Sequence, residues 1–231
     1  MPDGSLRLHE GVTVLKKYYG SPAPLPTADP FELILWENVA YLASPRRRHE
    51  AFEQLRSTIA TRPAAILAAK PKALEHVTSH GILKSTFAAK LRECARIAVH
   101  DCGGDLVAAL RGAPAKAKQT LRSFPGIGEP GAEKILLFAG YEALLAPDSN
   151  GLRVLVRLGL VQEQGSYSRT YAASRQAAKD LSADPSPSVI QEAHLLLQQH
   201  GQTLCKRRLP HCGVCPLERR CDYARGGQQR A

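Results

Sequence analysis

Four cysteines near the end of the chain, Cys205, Cys212, Cys215 and Cys221, follow a C-x6-C-x2-C-x5-C pattern. Thiolates bunched this tightly can converge on one metal centre, which is the first reading of such spacing. The pattern does not choose the metal, because four thiolates satisfy a tetrahedral zinc and equally the four irons of a cubane cluster. Disulfides are the weaker reading in a chain without secretory features. Lys206, Arg207, Arg208, Arg219 and Arg220 put cations around the cage. They can stabilise thiolates, face a phosphate backbone, or simply form a solvated basic face. Cys94 and Cys102 fall outside the cage and read as unpaired thiols, in part buried.

A second group of residues concerns anions. Phe124-Pro125-Gly126-Ile127-Gly128 sits between two helix-like segments, Ala115 to Ser123 and Gly131 to Leu145. Closely spaced glycines let the backbone turn sharply and leave successive amide hydrogens uncovered, so a turn of this kind beside a helix N-terminus can hold a phosphate without side-chain charge. Ile127 would plug that turn into the core. Lys116, Lys118 and Arg122, just upstream, are candidate phosphate contacts, as are the basic residues about the cysteines. Glu37 and Asn38 interrupt the otherwise apolar run from Phe31 to Leu42. A carboxylate there needs either a basic partner or a function. Trp36 and Tyr41 in the same run are candidates to line a base pocket or to fill the core. Pro147-Asp148-Ser149-Asn150 reads, on its residues alone, as a helix cap.

The bulk of the chain must position these groups. Its 231 residues, 44% apolar, can bury a substantial core as one large domain or two moderate ones. A formal charge of +10, from 31 basic and 21 acidic residues, favours a polyanionic partner. No apolar stretch approaches a bilayer span, and Met1 to Leu8 lacks a signal-peptide core. The expected setting is therefore intracellular, cytoplasmic or nucleoid-associated, without a membrane partner. No heptad run demands a second copy, so a monomer is expected.

The segment pattern is helical throughout. Proline-rich sequence up to Pro30 precedes a helix over Phe31 to Leu42. Alanine- and leucine-rich runs follow at His49 to Ala60, Ala64 to Ala69, Thr86 to His100, Asp105 to Leu110, Ala115 to Ser123, Gly131 to Leu145 and Gly151 to Gly159. Pro45 to Arg48, Gly103 to Gly104 and Gly112 to Pro114 read as linkers, and Gln162 to Arg169 as a turn. Ser182 to Ser188 reads as a lead-in to a helix over Val189 to His200, with Ser188 as its N-cap and Gly201 as its stop. Ala224 to Ala231 reads as a frayed tail, and no internal repeat is present.

Phe124 to Ala132, Asp148 and the Cys205 to Cys221 cage together resemble the helix-hairpin-helix DNA glycosylases of the endonuclease III family. The cysteine spacing matches that family's iron-sulfur loop without insertion, and the similarity in organisation spans about Asp29 to Tyr223. The resemblance implies an all-α, two-domain fold and a 4Fe-4S cluster on the four cysteines. It implies a central helical bundle carrying the hairpin at residues 29–139. Residues 1–28 and 140–225 would form a discontinuous cluster domain, and 226–231 a flexible tail. The implied partner is double-stranded DNA containing a damaged or mismatched base, flipped into a pocket. Implied contacts are Trp36, Asn38, Tyr41, Lys116, Lys118, Arg122, Pro125, Gly126, Ile127, Gly128 and Pro130.

The resemblance also assigns chemistry, and here the chain departs from the pattern. Pro130 stands where family members that cleave the strand carry a lysine whose amine attacks the sugar C1′. Neither proline nor the adjacent Glu129 can form a Schiff base, so a monofunctional glycosylase is expected, with Lys134 one turn along as the only local amine. Asp148 becomes the catalytic carboxylate, stabilising positive charge on the sugar and orienting or deprotonating water. Glu37 matches by position the glutamate with which adenine-excising relatives protonate a purine. The Tyr41-Leu42-Ala43 continuation and the short chain argue against adenine removal opposite oxidised guanine. Relatives without the lysine act on mismatched uracil or thymine, or remove alkylated purines. Two rival readings stand beside the enzyme: a catalytically inactive lesion- or junction-binding protein on the same fold, and a zinc-stabilised interaction module.

Overall fold

Prolines set the rhythm of this chain. A proline lacks the amide hydrogen that the first helical turn leaves unbonded, and its fixed φ suits that turn. Seven helices begin this way: α2 (Pro30–Asn38), α3 (Pro45–Thr58), α4 (Pro63–Ala68), α5 (Pro71–Thr78), α8 (Pro114–Arg122), α9 (Glu129–Phe138) and α12 (Pro187–Thr203). The remaining elements are α1 (Leu8–Tyr19), α6 (Lys84–Arg96) with a π-helical turn at Ile97–Asp101, α7 (Leu106–Ala109), α10 (Ser149–Arg157), α11 (Tyr167–Ala178) and α13 (Asp222–Arg225). Two 3₁₀ turns, Cys212–Val214 and Glu218–Arg220, lie among the last cysteines. The computed structural model describes residues 7–178 and 186–226, and among them every regular element is helical. The all-α fold expected from the segment pattern is therefore the fold observed.

Several boundaries differ from the expected ones, each for a physical reason. Pro45 to Arg48 opens α3 instead of linking, because Ser44 caps it by accepting from the Arg47 amide at 3.4 Å. The first apolar helix ends at Asn38, and the chain turns through a positive φ of 54° at Leu42. The helix after the glycine turn stops at Phe138, before Gly140 at φ 78°. Helices α1, α5, α11 and α13 were not expected, and α13 takes in Ala224 and Arg225 of the segment read as a frayed tail. The last helix begins at Pro187 rather than after Ser188, and it runs through Gly201 to Thr203. Gly201 is not a stop but a contact point, since a Cβ there would meet the Asn150 carbonyl oxygen at 2.7 Å. The expected features at Met1 to Leu6, Ser182 to Pro185 and the tail beyond Gly226 lie outside the described residues.

The chain divides into two compact units, one of residues 25–139 and the other of the described residues up to Pro24 and from Gly140 on. In the first, α2 is buried along most of its surface: Phe31, Leu33, Ile34, Leu35 and Trp36 are all core residues, with Glu32 and Glu37 part-exposed. A helix apolar over most of its surface belongs at the centre, and α3, α6, α7 and α9 pack around it.

In the second unit, α10 and α12 form the most extensive helix pair. Gly151 and Gly201 let them approach closely, with Leu197 Cβ 3.4 Å from where a Gly151 Cβ would stand. Helix α1 lies on α12, tied by Lys16 to Glu192 at 2.9 Å and by the Tyr19 hydroxyl to His200 Nδ1 at 3.0 Å.

Gly201→Ala should therefore wedge α10 from α12 and destabilise the protein by about 1–3 kcal/mol, the usual range for overpacking. Gly165→Ala, with open space around its Cβ, should stay within about 0.5 kcal/mol of the parent. Thermal unfolding of the two variants beside the parent measures the difference.

Candidate active site and cysteine centre

The glycine-rich segment forms the connection of a helical hairpin between α8 and α9. Phe124 and Ile127 are both buried, and the Ile127 amide donates to the Phe124 carbonyl at 3.1 Å, closing the turn. Gly126 adopts a φ of 78° and has no room for a Cβ, which would stand 2.5 Å from Asn38 Oδ1. Asn38 reaches the turn from α2. Its Nδ2 donates to the Pro125 carbonyl at 3.0 Å and to the Ile34 carbonyl at 3.1 Å. Asn38 was expected among substrate contacts, but it is only 1% exposed and is a strut beneath the turn. Gly128 and Gly126 remain exposed at the surface, at the N-terminal end of α9, and Pro130 is the second residue of that helix.

The basic residues of α8 divide in two. Lys118 donates to Glu133 at 2.6 Å, and Glu133 is fully buried. That ammonium compensates a buried carboxylate and braces α8 against α9, so it is not a free phosphate contact. Lys116 and Arg122 are exposed. Trp36, the other expected pocket residue of α2, lies in the core, edge-on to Phe52 at 5.5 Å. A helix packed along most of its surface leaves a core aromatic residue no opening to a ligand.

Glu37 is held by a basic partner. Lys134 Nζ, from α9, donates to Glu37 Oε1 at 2.7 Å, with the lysine side chain 8% and the glutamate 23% exposed. The candidate proton donor and the one candidate amine are thus a single ion pair.

An apolar tip, which periodicity did not reveal, stands in the same unit. Leu42, Ile82 and Leu83 are more than half exposed, and both leucines adopt positive φ. The Ile82 amide donates to the Tyr41 carbonyl at 3.1 Å, joining the two loops. The Tyr41 ring is partly exposed and stacks on Phe87 at 4.6 Å. Exposed apolar side chains on strained backbone are the available signal for such a tip, and sequence periodicity cannot supply it.

In the second unit Asp148 caps α10. Its Oδ1 accepts from the Asn150 and Gly151 amides at 3.0 and 2.8 Å, while Oδ2 accepts from Asn150 Nδ2 at 3.1 Å and from Gln198 Nε2 at 2.8 Å. Burial works to raise the carboxyl's pKa. The Gln198 and Gly151 donors, positive charge from His194 and the Asn150 side chain outweigh it and hold the group below the ordinary aspartate range. The carboxylate remains only half-buried, so an ionised oxygen pair is held in place near the surface.

The same helix grips the cysteine segment. Arg153 donates to the carbonyls of Cys205 at 2.9 Å and Gly201 at 2.8 Å. Arg157 donates to the Lys206 carbonyl at 2.7 Å and lies 3.4 Å from Cys205 Sγ. Cys221 Sγ is 3.1 Å from the Arg157 carbonyl, and Cys215 Sγ is 3.6 Å from His200 Nε2. Burial keeps that imidazole neutral, its pKa down to about 4. All four cysteines line one small apolar cavity with Val154, Leu158 and Leu204. Among the described residues no three His, Cys, Asp or Glu side chains are grouped as ligands of a single ion. A mononuclear zinc draws its four sulfurs to one point, with bonds of about 2.3 Å, whereas a cubane takes one thiolate at each of four separated irons. Four thiols around one shared cavity are donors that suit either group.

No family model matches the chain. It is similar to endonuclease III of Thermotoga maritima, 23% identical over 197 residues that cover 85% of this chain and 84% of that one. It is also similar to endonuclease III of Rickettsia felis, 28% identical over 103 residues, but there the match covers 45% of each protein. Among solved structures, a trapped endonuclease III–DNA covalent intermediate superimposes with a TM-score of 0.73 at 18% identity, covering 93% of this chain and 94% of that one. A thermostable thymine-DNA glycosylase gives 0.71 at 18% identity, covering 94% and 96%.

The strut beneath the hairpin is directly testable. Asn38→Ala leaves the Pro125 carbonyl without its donor and should lower unfolding free energy in urea by about 1–3 kcal/mol.

Proposed function

We propose that this chain, which belongs to the endonuclease III-like helix-hairpin-helix glycosylase superfamily, is a monofunctional DNA glycosylase of base excision repair. The observation that carries the reading is the Asp148 carboxylate, ionised and fixed by four hydrogen bonds at the N-terminus of α10. Cleavage of an N-glycosidic bond builds positive charge on the sugar, and a preorganised anion stabilises that charge without reorganising. A carboxylate held below its ordinary pKa is a weak base. Asp148 therefore acts chiefly through its charge, and orients water rather than taking its proton early.

The remaining roles divide among this chain's own residues. The open glycine amides at the head of α9 suit a DNA phosphate, with Lys116 and Arg122 adding charge. Leu42, Ile82 and Leu83 have the apolar, exposed character of side chains that enter a base step and displace a nucleotide. Glu37 takes its place as the ion-pair partner of Lys134, the basic-partner role left open for it. Pro130 carries no amine and Lys134 is engaged, which supports base hydrolysis without strand cleavage. Uracil or thymine mismatches and alkylated purines are the substrates to examine.

Cys205, Cys212, Cys215 and Cys221 would hold a 4Fe-4S cluster. Bound there, the cluster supplies a rigid cross-link for a segment that is otherwise short 3₁₀ turns. Burial pushes the Cys215 thiol up to about 11, so ligation must displace protons. Protein reconstituted anaerobically with iron and sulfide should hold about four irons per chain and show broad visible absorption. Cys212→Ala should lose both, whereas stoichiometric zinc with no visible band would assign the centre to zinc.

One observation favours a second reading, an inactive DNA-binding protein: both Asp148 oxygens are already occupied as a cap. The substitution Asp148→Asn separates the two. Asparagine caps about as well as aspartate, so the fold should persist. Single-turnover excision from the preferred mismatch or lesion should fall by on the order of 10²–10³-fold. In the parent, excision should hold constant as pH falls toward the ordinary aspartate value of about 4 and decline only below it. An unchanged Asp148→Asn rate would return Asp148 to capping alone.

A further inference from the structure

We infer that Tyr19 and His200 form a hydrogen-bond relay that runs from the surface of α1 to the Cys215 sulfur and sets how readily a cluster held by the four cysteines accepts an electron. The inference rests on the cluster reading. It makes Tyr19 and His200 positioning residues that act through Cys215.

Three contacts, all within the unit that holds the cysteines, carry it. His200 lies on α12 and is 2% exposed. Its Nε2 is 3.6 Å from Cys215 Sγ, within hydrogen-bond range for an atom as large as sulfur. Its Nδ1 is 3.0 Å from the Tyr19 hydroxyl, and that hydroxyl is 2.9 Å from Thr203 Oγ1. Tyr19 is part-exposed on α1, so the series of contacts begins at the surface and ends on a cysteine.

The number of hydrogens available gives the relay its direction. A ligating cysteine is a thiolate, which accepts and cannot donate. The hydrogen between Nε2 and Sγ therefore belongs to the imidazole. A neutral imidazole carries only one, which leaves Nδ1 as an acceptor. The Tyr19 hydroxyl is placed to donate to it. Thr203 then meets the tyrosine oxygen as a donor, or turns its own hydrogen to the Gln199 carbonyl at 2.8 Å. Tyr19 thus selects the ring form whose N–H points at the sulfur, the kind of outer contact that orients and tunes a metal ligand. An N–H aimed at a thiolate draws charge from it and favours the electron-rich, reduced state, which is how hydrogen bonds to sulfur set a cluster's potential.

A purely structural account explains less. A tie between α1 and α12 needs only the Tyr19–Thr203 contact. It gives no reason to bury a histidine, whose second nitrogen is costly unless it meets a partner. In this chain that partner is a cysteine sulfur.

The test uses the full chain reconstituted with iron and sulfide, titrated electrochemically without DNA and followed by electron paramagnetic resonance, with thermal unfolding alongside. His200→Leu should lower the reduction potential, moving the equilibrium between oxidised and reduced forms on the order of tenfold, which is about 59 mV for one electron. Tyr19→Phe should shift it less and in the same direction. The double substitution should match His200→Leu, because Tyr19 acts through the ring. Tyr18→Phe, next to it and 51% exposed, should leave the potential unchanged. Lower melting temperatures with an unchanged potential overturn the relay, as do additive shifts in the double variant or an equal shift in Tyr18→Phe. If His200→Leu assembles no cluster, Tyr19→Phe against Tyr18→Phe decides, since each removes a single oxygen. A parent that takes up zinc and no sulfide-bound iron defeats the cluster reading. Nitrogen NMR of that diamagnetic form then reads the ring directly: hydrogen on Nε2 is expected, and hydrogen on Nδ1 overturns the relay.

Discussion

A half-buried carboxylate must be met by donors, and the way Asp148 is met organises the unit that contains the cysteines. Two of its donors are amides of α10 itself, which fixes the carboxylate at the head of that helix. Gln198 is a third and belongs to α12, so the same side chain ties the helix start to its neighbour. The glycines at 151 and 201 make the approach possible, since a Cβ at Gly201 would meet Asn150 backbone. Five and nine residues along α10, Arg153 and Arg157 hold the carbonyls of the segment that begins the cysteine loop. Carboxylate and cysteine loop are thus two ends of one lever, and neither can move alone.

The hairpin unit follows the same rule with different groups. Its central helix α2 is mostly buried, so a polar residue turned inward from it must be satisfied by something specific. Asn38 finds the Pro125 carbonyl and Glu37 finds Lys134. A third polar group, Glu133, is buried on α9 and finds Lys118 on α8. Removal of one partner from such a pair leaves an uncompensated charge at a cost of about 3–5 kcal/mol. What these contacts contribute is geometry more than stability: they hold the turn, its two helices and α2 in one register.

That register explains the division of labour among charged residues. Lysines and a glutamate that, as a list of residue types, could bind phosphate, form a Schiff base or protonate a base are mostly committed to one another. Among the groups that stay exposed in this unit are the backbone at Gly126 and Gly128, the side chains of Lys116 and Arg122, and the apolar tip around Leu42, Ile82 and Leu83. The shape those groups present is what the buried polar contacts maintain.

The sequence by itself determined the features whose physics is local. The cysteine spacing announced four thiols gathered in one place, the Pro-Gly-Ile-Gly run announced a tight turn with a buried isoleucine, and helical periodicity announced an all-α chain. Helices α1, α5, α11 and α13 were missed because α1 carries a glycine and valines, α5 and α13 are short, and α11 is mostly polar. Each is stabilised by what it packs against rather than by its own propensity. The tertiary structure alone decided the partnerships: Glu37 meets Lys134 across 97 positions, and Asp148 meets Gln198 across 50. It also turned Asn38 from a candidate contact into a strut and Gly201 from a helix stop into a helix contact. A residue's type states which bonds it can make, but whether a charge is free or engaged depends on which distant group the fold brings within 3 Å, and no local pattern carries that distance.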